Sequence, residues 1–323
     1  MPDDSEHLTL SESAARQLAN ATKTRAQWGG ITPRWLISFL NWTPVEAGIF
    51  RLNRVREEGE PTDVEASPPR DANPDLPETY VDYVHDPREY FLKAVTTVLD
   101  VQTRVSDLYS QPFDQVQEQL RLLIEGVKEK HESELINNEE CGLLASAAPS
   151  QRIRTRTGPP TPDDLDELLA KVWKEPSFFL AHPRAIAAFG RECTRRGVPP
   201  PTVTLFGNPF ITWRGVPLVP SDKIKIEGSN GSEATKILLI RTGEKKQGVV
   251  GLFQPGVPGE VAPSLSVRFT GINRKAIGSY LISLYFSVAV LTDDALAVLE
   301  GVDSGLASRR GAARARWGRV SCA

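Results

Sequence analysis

The sequence lacks the features that mark membrane-spanning, secreted and disulfide-stabilised proteins. Its longest stretches without a charged residue, at residues 197–213 and 276–292, have 17 residues each, which is shorter than the roughly 20 residues that a membrane-spanning helix needs. The apolar part of the second stretch, residues 277–291, is therefore interpreted as core. Half of residues 2–7 are acidic, and they do not form the basic-then-apolar pattern of a signal peptide. The three cysteines, Cys141, Cys193 and Cys322, leave one without a partner, so reduced thiols are expected. These absences favour a cytoplasmic protein with no membrane segment.

Catalytic and cofactor-binding motifs are equally scarce. The histidines (His7, His85, His131 and His182) are scattered, and no HExxH, CxxC, GxxxxGK[ST], GxGxxG or GxSxG pattern occurs. Asp163-Asp164 and Asp293-Asp294 are paired carboxylates, but both pairs fall at predicted helix N-termini, where negative charge is favoured.

The single candidate nucleophile also has a structural explanation. Arginines near Cys193 could lower the pKa of its thiol, but no histidine partner is identifiable, and we interpret the residue as a buried structural thiol. His131 is interpreted as a solvated or packed side chain, and His182 as the residue that starts a helix at Pro183. The sequence therefore predicts no catalytic, cofactor-binding or metal-binding residue.

Charge is distributed unevenly along the chain. The net charge of −3 gives no reason to expect nucleic-acid binding. Residues 305–323 contain five arginines and no acid, which leaves −8 for residues 1–304. We expect this arginine-rich tail to be solvated and disordered.

What the sequence does contain is a set of elements suited to docking. Residues 8–24 carry one narrow apolar stripe at helical spacing, which predicts an arm that packs on another surface. A second short helix is predicted over residues 33–42, with Thr32 as its cap and Pro33 in its first turn. Its Trp35 and Phe39 make it too aromatic for a free tail.

A projecting hairpin is predicted next. Residues 48–55 alternate in the manner of a strand, and residues 80–83 and 90–105 are rich in aromatic and β-branched side chains. The intervening residues 57–78 are rich in proline and acids, which indicates a solvated tip. Because an isolated two-stranded hairpin is marginally stable in water, we expect it to lie against another subunit.

Three longer helices are predicted. Residues 112–138 keep one apolar face over a rod of roughly 40 Å, with Gly126 as its weak point. The second helix has Thr161 as N-cap, Pro162 as first residue and Asp164 facing the free amides. The third covers residues 183–196.

The rest of the chain is predicted to be mostly strands. Asn230-Gly231 is a hairpin-turn signal, residues 254–263 indicate a surface loop, and Thr292 with the two acids after it predicts a last helix near residues 292–300. The strand-like segments are 203–206, 210–213, 236–242, 249–253, 265–269 and 279–291.

Short blocks spread over nearly the whole chain closely resemble the family 2A encapsulin shell proteins, a group that includes proteins described as mycobacterial major membrane protein. The blocks are ARQLANATKT, ITPRWL, NWTPVEAGI, TYVDY, RVSDLYS, GPPTPDDLD, IAAFGRE, RRGVPPP, FITWRG, LIRTGE, QGVVGLFQPG and LTDDALAVL. No stretch is long enough to hold the inserted cyclic-nucleotide-binding domain of a sister subfamily, which favours the 2A type.

The resemblance implies an α+β chain with the HK97-type phage-capsid fold. On that basis the expected parts are an N-terminal arm with short helices (1–45), an extended hairpin or E-loop (46–104), a mainly peripheral domain with the spine helix 112–138 (105–200), a mainly axial domain (201–304) and the arginine-rich tail (305–323).

The resemblance also implies a function. Family 2A shells enclose a cysteine desulfurase, a pyridoxal-phosphate enzyme, and are linked to sulfur storage, so we expect the catalysis and the cofactor to belong to the cargo. Identical chains in the smallest icosahedral arrangement would number about 60. The expected partners are other copies of the chain and this cargo, with no nucleic acid and no membrane. The alternatives are the major capsid protein of a phage with the same fold and an unrecognised soluble enzyme.

Overall fold

The computed structural model describes residues 31–52, 87–102, 115–228, 234–275 and 277–304. The predictions for the arm at 8–24, for the segments 57–78 and 80–83, for Asn230-Gly231 and for the tail 305–323 lie outside the described residues, as do Cys322, His7 and His85.

The elements are numbered in chain order. The helices are α1 (Trp35–Phe39), α2 (Gln115–Asn137), α3 (Leu143–Ser146), α4 (Pro162–Lys171) and α5 (Pro183–Arg195), with short 3-10 turns at Pro149–Gln151 and Asp293–Ala295. The strands are β1 (Asn41–Pro44), β2 (Ile49–Leu52), β3 (Arg88–Phe91), β4 (Lys93–Gln102), β5 (Arg152–Arg154), β6 (Phe178–Ala181), β7 (Thr202–Leu205), β8 (Asn208–Trp213), β9 (Val216–Pro220), β10 (Ala234–Ile240), β11 (Val249–Phe253), β12 (Glu260–Ala262), β13 (Leu265–Ile272), β14 (Ile277–Val290) and β15 (Leu296–Asp303).

The chain divides into two compact units. Among the described residues, the first unit contains residues 31–34, β4, most of α2, β12, β13 and most of β14. The second unit contains the remaining elements.

The first unit is built on an antiparallel sheet in the order β4, β14, β13, β12. Residues 277–286 of β14 pair continuously with β4, while the pairing with β13 contains a register shift between Phe269 and Gly271. At this β-bulge, Thr270 is the extra residue, so that Ile272 pairs with Gly278 instead of Ile277. Gly271 adopts a φ of +135°, which suits glycine.

The second unit contains a seven-stranded sheet in the order β5, β15, β10, β6, β9, β8, β7. The helices α4 and α5 pack on one face of it, where Leu165, Phe189 and Cys193 join side chains of the central strands in a buried core. Successive residues of a strand point to opposite faces, so Phe178 of β6 faces away from this core. It meets Phe39 of α1 there, with ring centroids 5.0 Å apart.

The capped helices form as their sequence signals predict. Thr161 Oγ1 accepts a hydrogen bond from the amide of Asp164, and the Asp164 carboxylate accepts one from the amide of Thr161, which completes a capping box. His182 caps α5 by accepting from the amide of Arg184. The helix ends at Arg195, and Gly197 follows with a φ of +73°.

Three predicted element boundaries are wrong. The predicted helix 33–42 is confined to α1, because residues 41–44 extend and pair in parallel with β11. The predicted loop 254–263 contains β12. The predicted helix near 292–300 is a single 3-10 turn followed by β15, which pairs with β10 along most of its length.

The physical reason for the last error is burial on both faces. Residues 296–299 are fully buried, and a short apolar run of this kind cannot be assigned to helix or strand by periodicity. These residues form a strand because they pair with β10 on one side and with β5 on the other.

Candidate assembly surfaces

The end of the sheet in the first unit carries large apolar side chains that its own chain leaves exposed. Phe269 is 54% exposed and Ile272 is 70% exposed. Because cross-strand partners share a face, the pairing of Phe269 with Tyr280 and of Ile272 with Gly278 places both residues on one face. The rings of Phe269 and Tyr280 lie 5.2 Å apart. We call Phe269, Ile272 and Tyr280 the distal patch.

The second feature of the first unit is a set of hydrogen bonds that hold residues 32 and 34 against α2. Thr32 donates from its amide and its hydroxyl to the carboxylate of Glu129, at 2.9 and 2.7 Å. Arg34 Nη1 donates to Glu125 Oε2 at 2.6 Å and to Glu129 Oε1 at 3.0 Å. We call these four residues the clasp. Thr32 therefore does not cap α1, contrary to the prediction, because its hydroxyl is engaged by α2.

The clasp lies close to a buried histidine. His131 is 7% exposed, and its ring lies 4.3 Å from that of Phe286. Burial, with a smaller contribution from the charge of Arg34, lowers the pKa of His131 to about 3. The side chain is therefore neutral at physiological pH, and of the two predicted possibilities, solvated or packed, the second is confirmed.

In the second unit, α1 finds its partner surface within its own chain. Trp35 packs edge-on against Phe210 with centroids 5.2 Å apart, and Phe39 packs against Phe206 at the same distance. Leu36 is fully buried. The expectation that this aromatic helix needs a partner is met by the chain itself.

The carboxylate pairs serve structural roles. Asp164 belongs to the capping box, and Asp163 pairs with Arg196 at 2.8 Å. Asp294 does not cap a helix as predicted. It accepts from the buried Arg241 at 2.6 Å and from Lys174 at 2.8 Å. Burial alone would raise the pKa of Asp294, but these hydrogen bonds outweigh it and hold the pKa well below its ordinary value.

The candidate nucleophile is buried in the core on the face covered by α4 and α5. Cys193 is fully buried, and burial raises the pKa of its thiol despite the nearby charge of Arg196. A raised pKa disfavours the thiolate, which is the reactive form. The predicted burial of this thiol is confirmed.

The described residues offer no metal site and no membrane helix. Nowhere in the ranges that the structure describes do three His, Cys, Asp or Glu side chains converge as metal ligands. In the same ranges, no helix combines the length and the apolar character that crossing a bilayer requires. A cavity of about 610 Å³ between β1 and the turn at residues 242–246 is lined by neither histidine nor cysteine.

Comparison with solved structures defines the class of protein. The capsid of a native GTA particle is similar to this chain with a TM-score of 0.56 at 13% identity, over 83% of this chain and 90% of that one. At that identity the likeness shows the fold alone. The chain has the HK97-type capsid fold, in an α+β form, as predicted.

Closer relatives define the family. The model of the family described as "Type 2A encapsulin shell protein SrpI-like" matches residues 51–306. The type 2A encapsulin shell protein SrpI of Synechococcus elongatus is 66% identical over 303 residues, which cover 94% of this chain and 97% of the relative. The type 2A encapsulin shell protein of Mycolicibacterium paratuberculosis is 62% identical, over 92% of this chain and 95% of the relative.

The solved structure of a relative agrees with this assignment. The electron cryomicroscopy structure of the holo-SrpI encapsulin complex from Synechococcus elongatus is similar with a TM-score of 0.78 at 64% identity, over 92% of this chain and 97% of that one. This chain belongs to the type 2A encapsulin shell protein family. It is a structural, shell-forming protein and not an enzyme, so the enzyme alternative is wrong, and the match favours an encapsulin over a phage capsid.

Proposed function

We propose that this chain is the subunit of a closed cytoplasmic shell of about 60 identical copies, the number of equivalent positions in the smallest icosahedral arrangement. Its cargo is a cysteine desulfurase, and the compartment serves sulfur metabolism or storage. The family supports the shell, and the resemblance of the sequence blocks to family 2A members supports the cargo.

The distal patch is the observation that carries the self-association. Exposed apolar clusters mark interaction surfaces in soluble proteins, and Phe269 and Ile272 together give the first unit such a cluster. The second unit adds Trp173, which is 71% exposed. Tryptophan is among the residue types enriched where proteins associate. Both units therefore present side chains suited to contact with further copies.

The N-terminal segment is the second element proposed for assembly. A segment that reached residue 42 would include α1, which is packed into its own chain, and part of β1, which is paired with β11. Removal of residues 1–42 would therefore damage the fold. A truncation that ends at residue 30 tests the arm without removing α1, β1 or the clasp.

Purification of the particles from the native host tests the whole proposal. Electron microscopy should show closed icosahedral particles, and mass spectrometry of the same preparation should identify a cysteine desulfurase inside them. A species near the monomer mass of 35.6 kDa on size-exclusion chromatography would refute the shell. Particles that contain another protein would refute the cargo alone, and nuclease-resistant nucleic acid would favour the phage alternative.

A further inference from the structure

The clasp holds residues 32–34 against α2, directly after the N-terminal segment 1–30 in the sequence. Four hydrogen bonds from Thr32 and Arg34 converge on Glu125 and Glu129. The two acids are four residues apart and therefore lie on the same face of the helix. All of the charged side chains are partly buried, and Lys128 also contacts Glu125, at 3.0 Å.

The backbone of the clasp indicates that its geometry is imposed by these contacts. Arg34 has a φ of +49°, in the left-handed region that residues other than glycine rarely occupy. Such a conformation persists where surrounding contacts determine it. The guanidinium suits this role, because Nη1 carries two N–H groups and donates to both carboxylates at once.

The clasp is not needed to hold α1 in place. Leu36 is fully buried and Phe39 packs against three aromatic rings of the second unit, so contacts of its own secure that helix. The four clasp contacts instead determine the path of residues 31–34, which immediately follow the proposed assembly arm.

We propose that Arg34 is a positioning residue for assembly: together with Thr32, Glu125 and Glu129 it fixes residues 31–34 against α2, and residues 1–30 need this anchor in order to dock on a neighbouring copy. This inference rests on the proposed function. It assigns to the clasp a task that is separate from the stability of the subunit.

The test compares Arg34→Gln with Arg121→Gln in the full chain. Arg121 forms an ion pair with Glu118 on α2. The control therefore also removes one arginine that pairs with a glutamate of α2, but it leaves the clasp unchanged. The concentration at which particles appear is measured by light scattering and electron microscopy. Circular dichroism and thermal unfolding of the unassembled subunit report on folding.

We expect Arg34→Gln to raise the assembly concentration about tenfold, which corresponds to about 1.4 kcal/mol per subunit. Arg121→Gln should assemble as the unchanged chain does. Arg34→Lys should fall between the two, since an ammonium keeps the charge and its donors but sits on a side chain one bond shorter than that of Nη1. If Arg34→Gln fails to fold, Glu129→Gln, which keeps the shape of the side chain, decides by the same criterion.

Two results would overturn the inference while the proposed function stands. One is equal assembly of Arg34→Gln and Arg121→Gln, whether both match the unchanged chain or both fall below it. The other is normal assembly of a chain that lacks residues 1–30, because the clasp would then have no arm to position. Failure of the unchanged chain to form particles would instead refute the proposed function.

Discussion

His131 is a neutral histidine held where an imidazolium would be poorly solvated. Its pKa in the folded chain is about 3, against an ordinary value of 6.5. Between these two values the unfolded chain binds a proton that the folded chain does not, so the free energy of unfolding falls as the pH falls from 6.5 towards 3. The slope from one such group approaches about 1.4 kcal/mol per pH unit.

His131→Leu should remove this slope. The variant cannot take up the proton in either state, so its free energy of unfolding should vary less with pH between 6.5 and 3 than that of the unchanged chain. Denaturant unfolding at a series of pH values and one protein concentration measures both. Repacking against Phe286 shifts the free energy of unfolding by a constant amount and leaves the comparison of slopes intact. Equal slopes would contradict the buried, neutral state.

At this scale the sequence reports the chemistry of a residue but not its depth in the fold. The sequence places His131 on α2 correctly but does not determine whether it is buried, because Phe286 is brought to it from a distant strand. Asp294 shows the same limit. Its place after Thr292 resembles a helix cap. Its partner Arg241 is distant in the sequence, so the partially buried ion pair between Asp294 and Arg241 forms only in the folded sheet.

At the scale of elements, α4 is the helix whose start is most clearly encoded. Thr161→Ala should remove one half of the capping box and reduce the free energy of unfolding by about 1–2 kcal/mol. Thr161→Ser retains a hydroxyl at the same position and serves as the control. Chemical denaturation measures both variants. A loss of equal size in the serine variant would attribute the effect to the methyl group of the threonine instead of the hydrogen bond.

Helices with caps were predictable because the signals that start them are local. Thr161-Pro162 and His182-Pro183 each mark a helix within a few residues. The strand β15 was not predictable in this way, since residues 296–299 are buried on both faces of the sheet. Only the pairing of β15 with β10 and β5 distinguishes it from a helix.

At the scale of the whole molecule, the distal patch should be required for assembly and dispensable for folding. Phe269→Ser combined with Ile272→Ser removes two exposed side chains, so the subunit should fold while particle formation is lost. Val98→Ser is the matched control, because Val98 is equally exposed and pairs with Leu281, on the opposite face of the sheet from the patch. Size-exclusion chromatography and electron microscopy measure the outcome. Normal particles from the double variant would exclude the patch from the contacts between copies.

The shell itself was predictable from the family resemblance but not from local patterns. A hydrophobic run indicates burial without saying whether the partner is the same chain or another copy. Trp35 and Phe39 illustrate this, since their aromatic helix suggested contact with another surface and packs within its own chain.

The β-bulge in β13 decides the composition of the distal patch. In a regular strand, residues 269 and 272 would point to opposite sides, because the side-chain period is two. The extra residue at Thr270 changes the parity of the strand, and Ile272 joins Phe269 on one face. The composition of the patch thus depends on the register of the backbone as much as on the identity of its side chains. A family member could gain or lose this contact by the insertion or deletion of one residue, with every apolar side chain conserved.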